Sequence, residues 1–394
     1  MSERQRLINS FTSMGTHAQL PLPILTRYYL HILRNEADDS ARDMIQKSLR
    51  STAESTGNQK LEQILGEITK NPTADIHFET ASASYTIKTD PHEQRSSSGP
   101  FAEKISRVHS CFQSLHLNDA LSTIESLISE PQMKRQDKYY HERCIIHLIK
   151  DNYLEALSMA KKSGLPDAIF VSALSNGDFL EAKNQIPQLA NRILKQTTGS
   201  SKDCYITTFE LTFQISFVIF ATGTAKDAQN FSSKAYKVNY FDTQTFTFVT
   251  KLLELNKLFC NRQFGEFLAK LKEARPIFEF SIYTYPVVDQ LISAITKNVV
   301  RLALFPLLTV DFTAISDELS MKKNNLITYV HQLIREGKLQ GKMDLVANTY
   351  TSFIDINPDR EATKQYFDQA LIYRQNLQLN DWKDQLPRSQ SKPY

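Results

Sequence analysis

Between residues 117 and 274 the chain returns repeatedly to one short pattern. A turn residue is followed by an aromatic or aliphatic residue and, a few places on, by a small or apolar one that opens a helical stretch. It reads "LNDALSTIESLI" from Leu117, "DNYLEALSMAKKSG" from Asp151, "NGDFLEAKNQI" from Asn176, "GTAKDAQNFSSKAY" from Gly223 and "NRQFGEFLAKLKEA" from Asn261. Alanine near a helix start lets the two helices of a hairpin approach closely. The intervals run from about 25 residues to the mid-forties, in or near the range of helix-pair repeats. An array of degenerate helical hairpins fits this pattern, and the uneven spacing leaves an irregular helical domain open as the alternative. Both produce an extended partner-binding surface more readily than a catalytic cleft.

Composition supports helix. Only 11 glycines stand among 394 residues, and the 14 prolines fall mostly between periodic segments, too few breakers for a sheet protein with many tight turns. With 41% hydrophobic residues the chain can bury a core of two or three domains. The 46 Lys and Arg nearly cancel the 43 Asp and Glu, and a net charge of +3 exerts no strong pull on phosphate or anionic lipid. The segment "MSERQRLINSFTSMGTH" has no signal-like apolar core, and "FELTFQISFVIFATG" is interrupted by Glu210 and Gln214, so neither export nor a membrane is expected. Cys111, Cys144, Cys204 and Cys260 are far apart, as in a reducing compartment with buried thiols. Nucleus and cytoplasm are the expected locations.

Chemical motifs are missing. The chain contains no Gly-rich phosphate loop, no HxH, no HExxH and no GxSxG elbow. "HERCIIH" places His141, Cys144 and His147 over an arc of about 120° on a helix, too wide for three ligands of one ion. No enzyme, metal or cofactor is expected. Tyr205, Phe209, Phe213 and Phe217 recur every four residues and read as a core stripe.

The stretch "FTAISDELSMKKNNLITYVHQLIREGKLQGKMD" carries a different signal. Phe312, Ile315 and Leu319 give a first helix its buried face, and "SMK" makes a turn. Leu326, Val330, Leu333 and Ile334 face inward from a second helix, which Gly337 ends as a left-handed cap. "KLQGKMD" and "TYTSFIDI" alternate as strands around "LVAN". Helix-turn-helix plus hairpin is a winged helix. Lys322, Lys323, Asn324, Asn325 and Lys342 could face nucleic acid, but Glu318, Glu336 and Asp344 are interspersed, which argues against the counterion-release contribution that such binding needs. A sheet edge that pairs with another protein is the preferred reading.

From Tyr285 to Asp344 the chain resembles, without gaps, the PCI domain named for the proteasome lid, signalosome and initiation factor. Matching positions include Pro286, Val288, Leu291, Ile295, Leu304, Phe305, Pro306, Asp311, Leu319, Leu326, Leu333, Ile334, Glu336, Gly337, Lys342 and Asp344. "LNKLFCNRQFGEFLAKLKEARP" is similar to the helix pair that precedes the winged helix in this family, and the resemblance extends from about Phe209 to Tyr350. Within the family the pattern is most similar to subunit one of the COP-nine signalosome, a likeness carried by Phe305-Pro306, and to its counterpart in the proteasome lid. Thr296 after Ile295, and Leu307 in place of an aromatic residue, depart from the signalosome pattern.

The resemblance implies a non-catalytic scaffold subunit that supports deneddylation of cullin-RING ubiquitin ligases. Its partners would be other PCI-domain subunits, a metalloprotease subunit and, indirectly, the cullin-RING ligases. The alternatives are the equivalent proteasome-lid subunit or a PCI-type nucleic-acid adaptor. The expected fold is mainly α: a helical arm over 1–87, a linker over 88–100 and TPR-like repeats over 101–275. The winged-helix part of the PCI domain follows over 276–356, then a bundle helix over 360–380 and a disordered tail over 381–394. Sheet extension would use Lys338, Gln340, Lys342, Asp344, Tyr350 and Phe353. In "REATKQYFDQALIYRQNLQLNDW", Ala362, Tyr366, Ala370, Tyr373 and Leu377 stand at near-heptad spacing along about 30 Å of helix, for a shared bundle or for packing on their own domain.

Overall fold

The computed structural model describes residues 22–35, 39–56, 58–70, 101–130, 136–195, 206, 208–235 and 243–353. The linker at 88–100, the segment with Tyr366, Ala370, Tyr373 and Leu377, and the tail lie outside the described residues. The fold is mainly helical, with helical repeats leading into a winged helix that holds the small sheet.

Three helices come first: α1 (Leu22–Asn35), α2 (Asp39–Thr56) and α3 (Gln59–Lys70). The repeats follow as α4 (Ala102–Gln113), α5 (Leu117–Ile128), α6 (Gln136–Ile149), α7 (Tyr153–Ser163), α8 (Pro166–Ser175) and α9 (Phe179–Lys195). They continue through α10 (Thr208–Thr222), α11 (Ala225–Ala235), α12 (Thr243–Cys260) and α13 (Phe264–Glu273). From α4 to α13 every helix packs on its successor, as in a helical-repeat array. The winged-helix region comprises α14 (Arg275–Phe280), a 3₁₀ turn at Tyr285–Val287, α15 (Val288–Leu304), β1 (Thr309–Asp311), α16 (Phe312–Glu318), α17 (Lys323–Arg335), β2 (Gly341–Asp344) and β3 (Thr349–Ser352). The division drawn between 275 and 276 falls inside α14.

The recurring sequence pattern has a definite backbone meaning. At four of its five occurrences a residue in the left-handed region closes one helix: Leu115, Asp151, Gly177 and Arg262, with φ of 63°, 59°, 76° and 59°. Each time the next amide reaches back five residues, from His116 to Cys111 O, Asn152 to His147 O, Asp178 to Ala173 O and Gln263 to Leu258 O, at 2.8–3.0 Å. This is the Schellman closure, which satisfies carbonyls that the end of a helix leaves open. The next helix starts two residues after the left-handed one, and its fourth residue, Ala120, Ala156, Ala182 or Phe267, is fully buried. The fifth occurrence works differently. Thr224 and Asp227 cap each other's amides, the Thr224 N–H donating to Asp227 Oδ2 at 2.8 Å and the Asp227 N–H to Thr224 Oγ1 at 3.3 Å, a capping box.

Helix α10 organises the molecule. Residues 210–221 are all buried, so a helix that reads as an apolar run with two polar interruptions is surrounded by protein. No helix among the described residues is long and apolar enough to cross a membrane. Of the aromatic row, Phe213 and Phe217 lie in the core, whereas Tyr205 and the Phe209 side chain fall outside the described residues. Phe217 meets Phe278 at a ring-centroid distance of 4.0 Å, and Phe220 meets Phe259 at 4.9 Å and Phe267 at 5.2 Å. The stack joins α10 to α12, α13 and α14. Helix α15 lies along α10, and the buried Asn298 amide donates to Phe220 O at 2.8 Å and Gly223 O at 2.9 Å, closing the α10 C-terminus. Arg301 in turn donates to Asn298 Oδ1.

The N-terminal segment is tied to this junction. Tyr28, buried on α1, donates its hydroxyl to the Glu210 carboxylate and meets the Tyr283 ring edge-on. His31 Nε2–H donates to Glu279 O at 2.8 Å, and the Tyr285 hydroxyl donates to Asn35 Oδ1 at 3.1 Å. Arg27 pairs with Asp151 in the α6–α7 turn. One contiguous apolar core runs from Ile24 to Tyr350.

Glu210 lies at the centre of this junction, and burial pushes its carboxyl up to about 7, against the lowering effect of hydrogen bonds from Ser281 and Tyr28. A folded-state pKa raised from 4.5 means stability present below pH 4.5 and lost as pH rises through 7, at most about 3 kcal/mol by the 1.36 kcal/mol per pKa unit. In paired urea unfolding, Glu210→Gln therefore gains on the wild type as pH rises from 5 to about 8, and parallel curves would contradict this. Ala156→Leu, which forces side-chain atoms into a filled helix contact, lowers stability by about 1–3 kcal/mol, read as a reduced urea midpoint.

Candidate interaction surface

The winged helix is built by local chemistry that the sequence largely announces. Asp311 in extended backbone caps α16, its Oδ1 accepting from the Thr313 amide at 2.6 Å and the Ala314 amide at 3.2 Å, as an N-cap aspartate does. The Thr313 backbone bond, followed by that of Ala314, holds its carboxyl below the usual range. Phe312, Ile315 and Leu319 on the first helix and Leu326, Val330 and Leu333 on the second are buried, while Ile334 is half-buried at the margin. Gly337 takes φ of 69° and ends α17 as expected, with the Lys338 amide donating to Leu333 O.

The sheet differs from the expected two-stranded hairpin. Its order is β1–β3–β2, all antiparallel, with Val310 and Met343 both opposite Tyr350. The three residues of β1 are too few to show alternation in the sequence and exist as a strand only through β3. This arrangement corrects part of the interface reading. Strand β3 is central, so Thr349–Ser352 has no edge to offer, and Tyr350, 1% exposed, is a core residue whose hydroxyl donates to Gln340 O at 3.2 Å.

The other expected residues are brought to one side. Strand β2 is an edge, and Lys342 and Asp344 on it are exposed, as are Lys338, Gln340 and Phe353 around it. Asp344 Oδ1 accepts from the amides of Val346 at 2.9 Å and Ala347 at 2.8 Å and so holds the tip of the wing. Glu336 is bridged by Lys297 at 3.0 Å and Lys338 at 2.8 Å. The Lys338 hydrogen bond, then that of Lys297, lowers the Glu336 carboxyl pKa. Gln340 O also accepts from the Phe353 amide at 2.9 Å. At the wing tip Leu345 and Val346 stand in solvent, Val346 fully so, an apolar protrusion that the strand pattern did not single out.

His141, Cys144 and His147 are buried within α6, with Cys144 Sγ 3.4 Å from Ser172 Oγ. Burial, then Arg143, lowers the His147 pKa. No group of three His, Cys, Asp or Glu side chains suited to a metal ion occurs among the described residues. Cys111 and Cys144 are buried and in no disulfide, Cys260 is partly covered, and Cys204 lies outside the described residues.

Close packing sets the position of the edge relative to the repeats. A Cβ on Gly265 would lie 2.3 Å from Glu318 O, so the start of α13 touches the end of α16 backbone to backbone. On β2, a Cβ on Gly341 would lie 2.5 Å from both Thr351 O and the Tyr350 ring.

Residues 271–350, from the last turn of α13 through the middle of β3, match the family model described as the PCI domain. The match supports a PCI domain over these residues. No curated protein matches the chain.

Gly341→Val places atoms where Thr351 O and the Tyr350 ring already stand, so it opens the wing while the repeats stay folded. Hydrogen exchange is then faster at the amides of β2 and β3, with α6–α9 protected as in the wild type. Unchanged protection in the wing would show that the sheet accommodates the side chain.

Proposed function

With a PCI domain at residues 271–350 as its premise, we propose that this chain is a non-catalytic scaffold subunit of the COP-nine signalosome. A PCI domain marks a scaffold-type subunit of the multisubunit assemblies of signalosome, lid and initiation-factor type, joined to other PCI-domain subunits. The observation that carries the reading is the unpaired edge of β2, presented by a winged helix fixed to a helical-repeat array. Such an edge can be extended by a strand of a neighbouring subunit, main-chain bonds giving affinity and flanking side chains giving register. Glu336, bridged by Lys297 and Lys338, holds the segment leading into that strand.

In this role the protein works in nucleus and cytoplasm and contributes no hydrolytic residue. It supports deneddylation of cullin-RING ligases by positioning a separate metalloprotease subunit. The PCI match is equally compatible with the corresponding subunit of the proteasome lid. Affinity purification of the tagged chain at native level separates the two: signalosome subunits with cullins support the first reading, and lid subunits with ATPases replace it by the second.

Edge pairing makes its own demand. Lys342→Glu reverses an exposed charge on β2, and Gln340→Pro disturbs the start of that strand, where Gln340 pairs with Phe353. Either variant is expected to release the chain from the assembly, seen as a smaller species on native gels, while its helical circular dichroism is retained. Complexes of unchanged size in both variants would show that assembly uses another surface.

A further inference from the structure

Hydrogen bonding in the wing fixes which backbone groups of β2 turn away from the sheet. In an antiparallel sheet, alternate residues direct their N–H and C=O first to one neighbour and then to the other. The Phe353 amide donates to Gln340 O, and on the far side of β3 the Ser352 amide donates to Leu308 O and the Phe312 amide to Asn348 O. With Gly341 opposite Ser352 and Asp344 opposite Thr349, the backbone groups of Lys342 and Asp344 turn to β3. Those of Gly341 and Met343 turn outward. Among the described residues β3 is the only strand neighbour of β2.

The side chains alternate as well. Lys342 and Asp344 are exposed on one face, while Met343 packs against the core on the other. The Val346 and Ala347 amides hold Asp344 through its Oδ1, so the carboxylate is fixed beside the strand. A base and an acid two residues apart make this face complementary to itself. When a second copy lies antiparallel across a two-fold axis through Met343, the outward groups of Met343 meet those of the partner's Met343. Lys342 of each copy then faces Asp344 of the other as a non-hydrogen-bonded pair, the kind whose side chains stand closer. Opposite charges directly across a sheet stabilise it and like charges destabilise it. Moving the axis by one residue either way sets Lys342 against Lys342, or Asp344 against Asp344, so charge selects a single register. The opposite edge, β1, is three residues long, and its one charged residue, Asp311, caps α16.

We propose that β2 pairs with β2 of a second copy of this chain, antiparallel about Met343, which joins two three-stranded sheets into one. The pairing rests on the same edge as the scaffold reading and gives that edge a second occupant. A copy covers the edge until a neighbouring subunit takes its place, so self-pairing and assembly exclude each other. An open edge is a template for indiscriminate pairing, and a self-complementary one closes it in a defined way. Four residues from each copy make a small contact of the weak, reversible kind.

The test is sedimentation equilibrium of the purified full chain at about 1–100 µM, a range suited to weak dimers. The wild type is expected to pass from monomer to dimer within it. Lys342→Glu puts two acids on the exposed face of β2 and Asp344→Lys puts two bases there, and each variant alone dimerises at least tenfold more weakly. An equimolar mixture of the two again sets opposite charges across the axis and recovers the dimer, which a misfolded wing would not do. A wild type that stays monomeric, a dimer of unchanged strength in Lys342→Glu, or a mixture no stronger than its components would overturn the proposal. Co-purification of the tagged chain is read separately. A monomer that still joins other PCI-domain subunits overturns self-pairing and leaves the scaffold reading in place. Charge-complemented dimers of a chain that joins no assembly support self-pairing and remove the scaffold reading.

Discussion

The enclosure of α10 is the constraint on which the rest of the structure depends. A helix buried along residues 210–221 must find apolar partners on all sides and partners for its open terminal carbonyls. The aromatic rings of α12, α13 and α14 supply the first, and Asn298 of α15 supplies the second through Phe220 O and Gly223 O. Because one helix serves as the interior of both the repeats and the PCI segment, neither can shift without opening the core they share. A half-satisfied Asn298 would leave polar atoms buried without partners, costly in a dry interior.

That enclosure gives the scaffold its directionality. The backbone contact of Gly265 with Glu318 fixes where α16 begins its turn, and with it where α17 and the wing point. Helix α1 adds a second tie, since Tyr28 reaches Glu210 and His31 reaches Glu279 O. The outward-facing β2 edge is thus carried by a body with one continuous core. An edge held in one orientation is suited to a defined neighbour, because the cost of ordering the surface is met on folding and not on binding.

How much of this was legible varied with the range of the interactions. The recurring turn pattern was visible because Schellman closure and buried small residues act within about six residues of chain, as at Asp151 and Ala156. Asp311 as a cap, Gly337 as a stop and the two amphipathic faces of α16 and α17 were legible for the same reason. Strand β1 was not, since three residues carry no period. Tyr350 was misjudged because one alternating strand does not say whether one edge or two are paired. The pairing of Glu336 with Lys297 was not legible because the two are 39 residues apart.

The sequence by itself determined the helical class, the hairpin unit, the winged helix and the absence of familiar catalytic motifs, all properties of neighbouring residues and their periodicity. Tertiary structure decided which strand is central, how Glu336 is paired, and that α1 closes the junction of repeats and winged helix. Those outcomes depend on contacts such as Tyr28 with Glu210, 182 residues apart. A chain records which side chains it carries, but burial and pairing arise only when distant segments exclude water from one another.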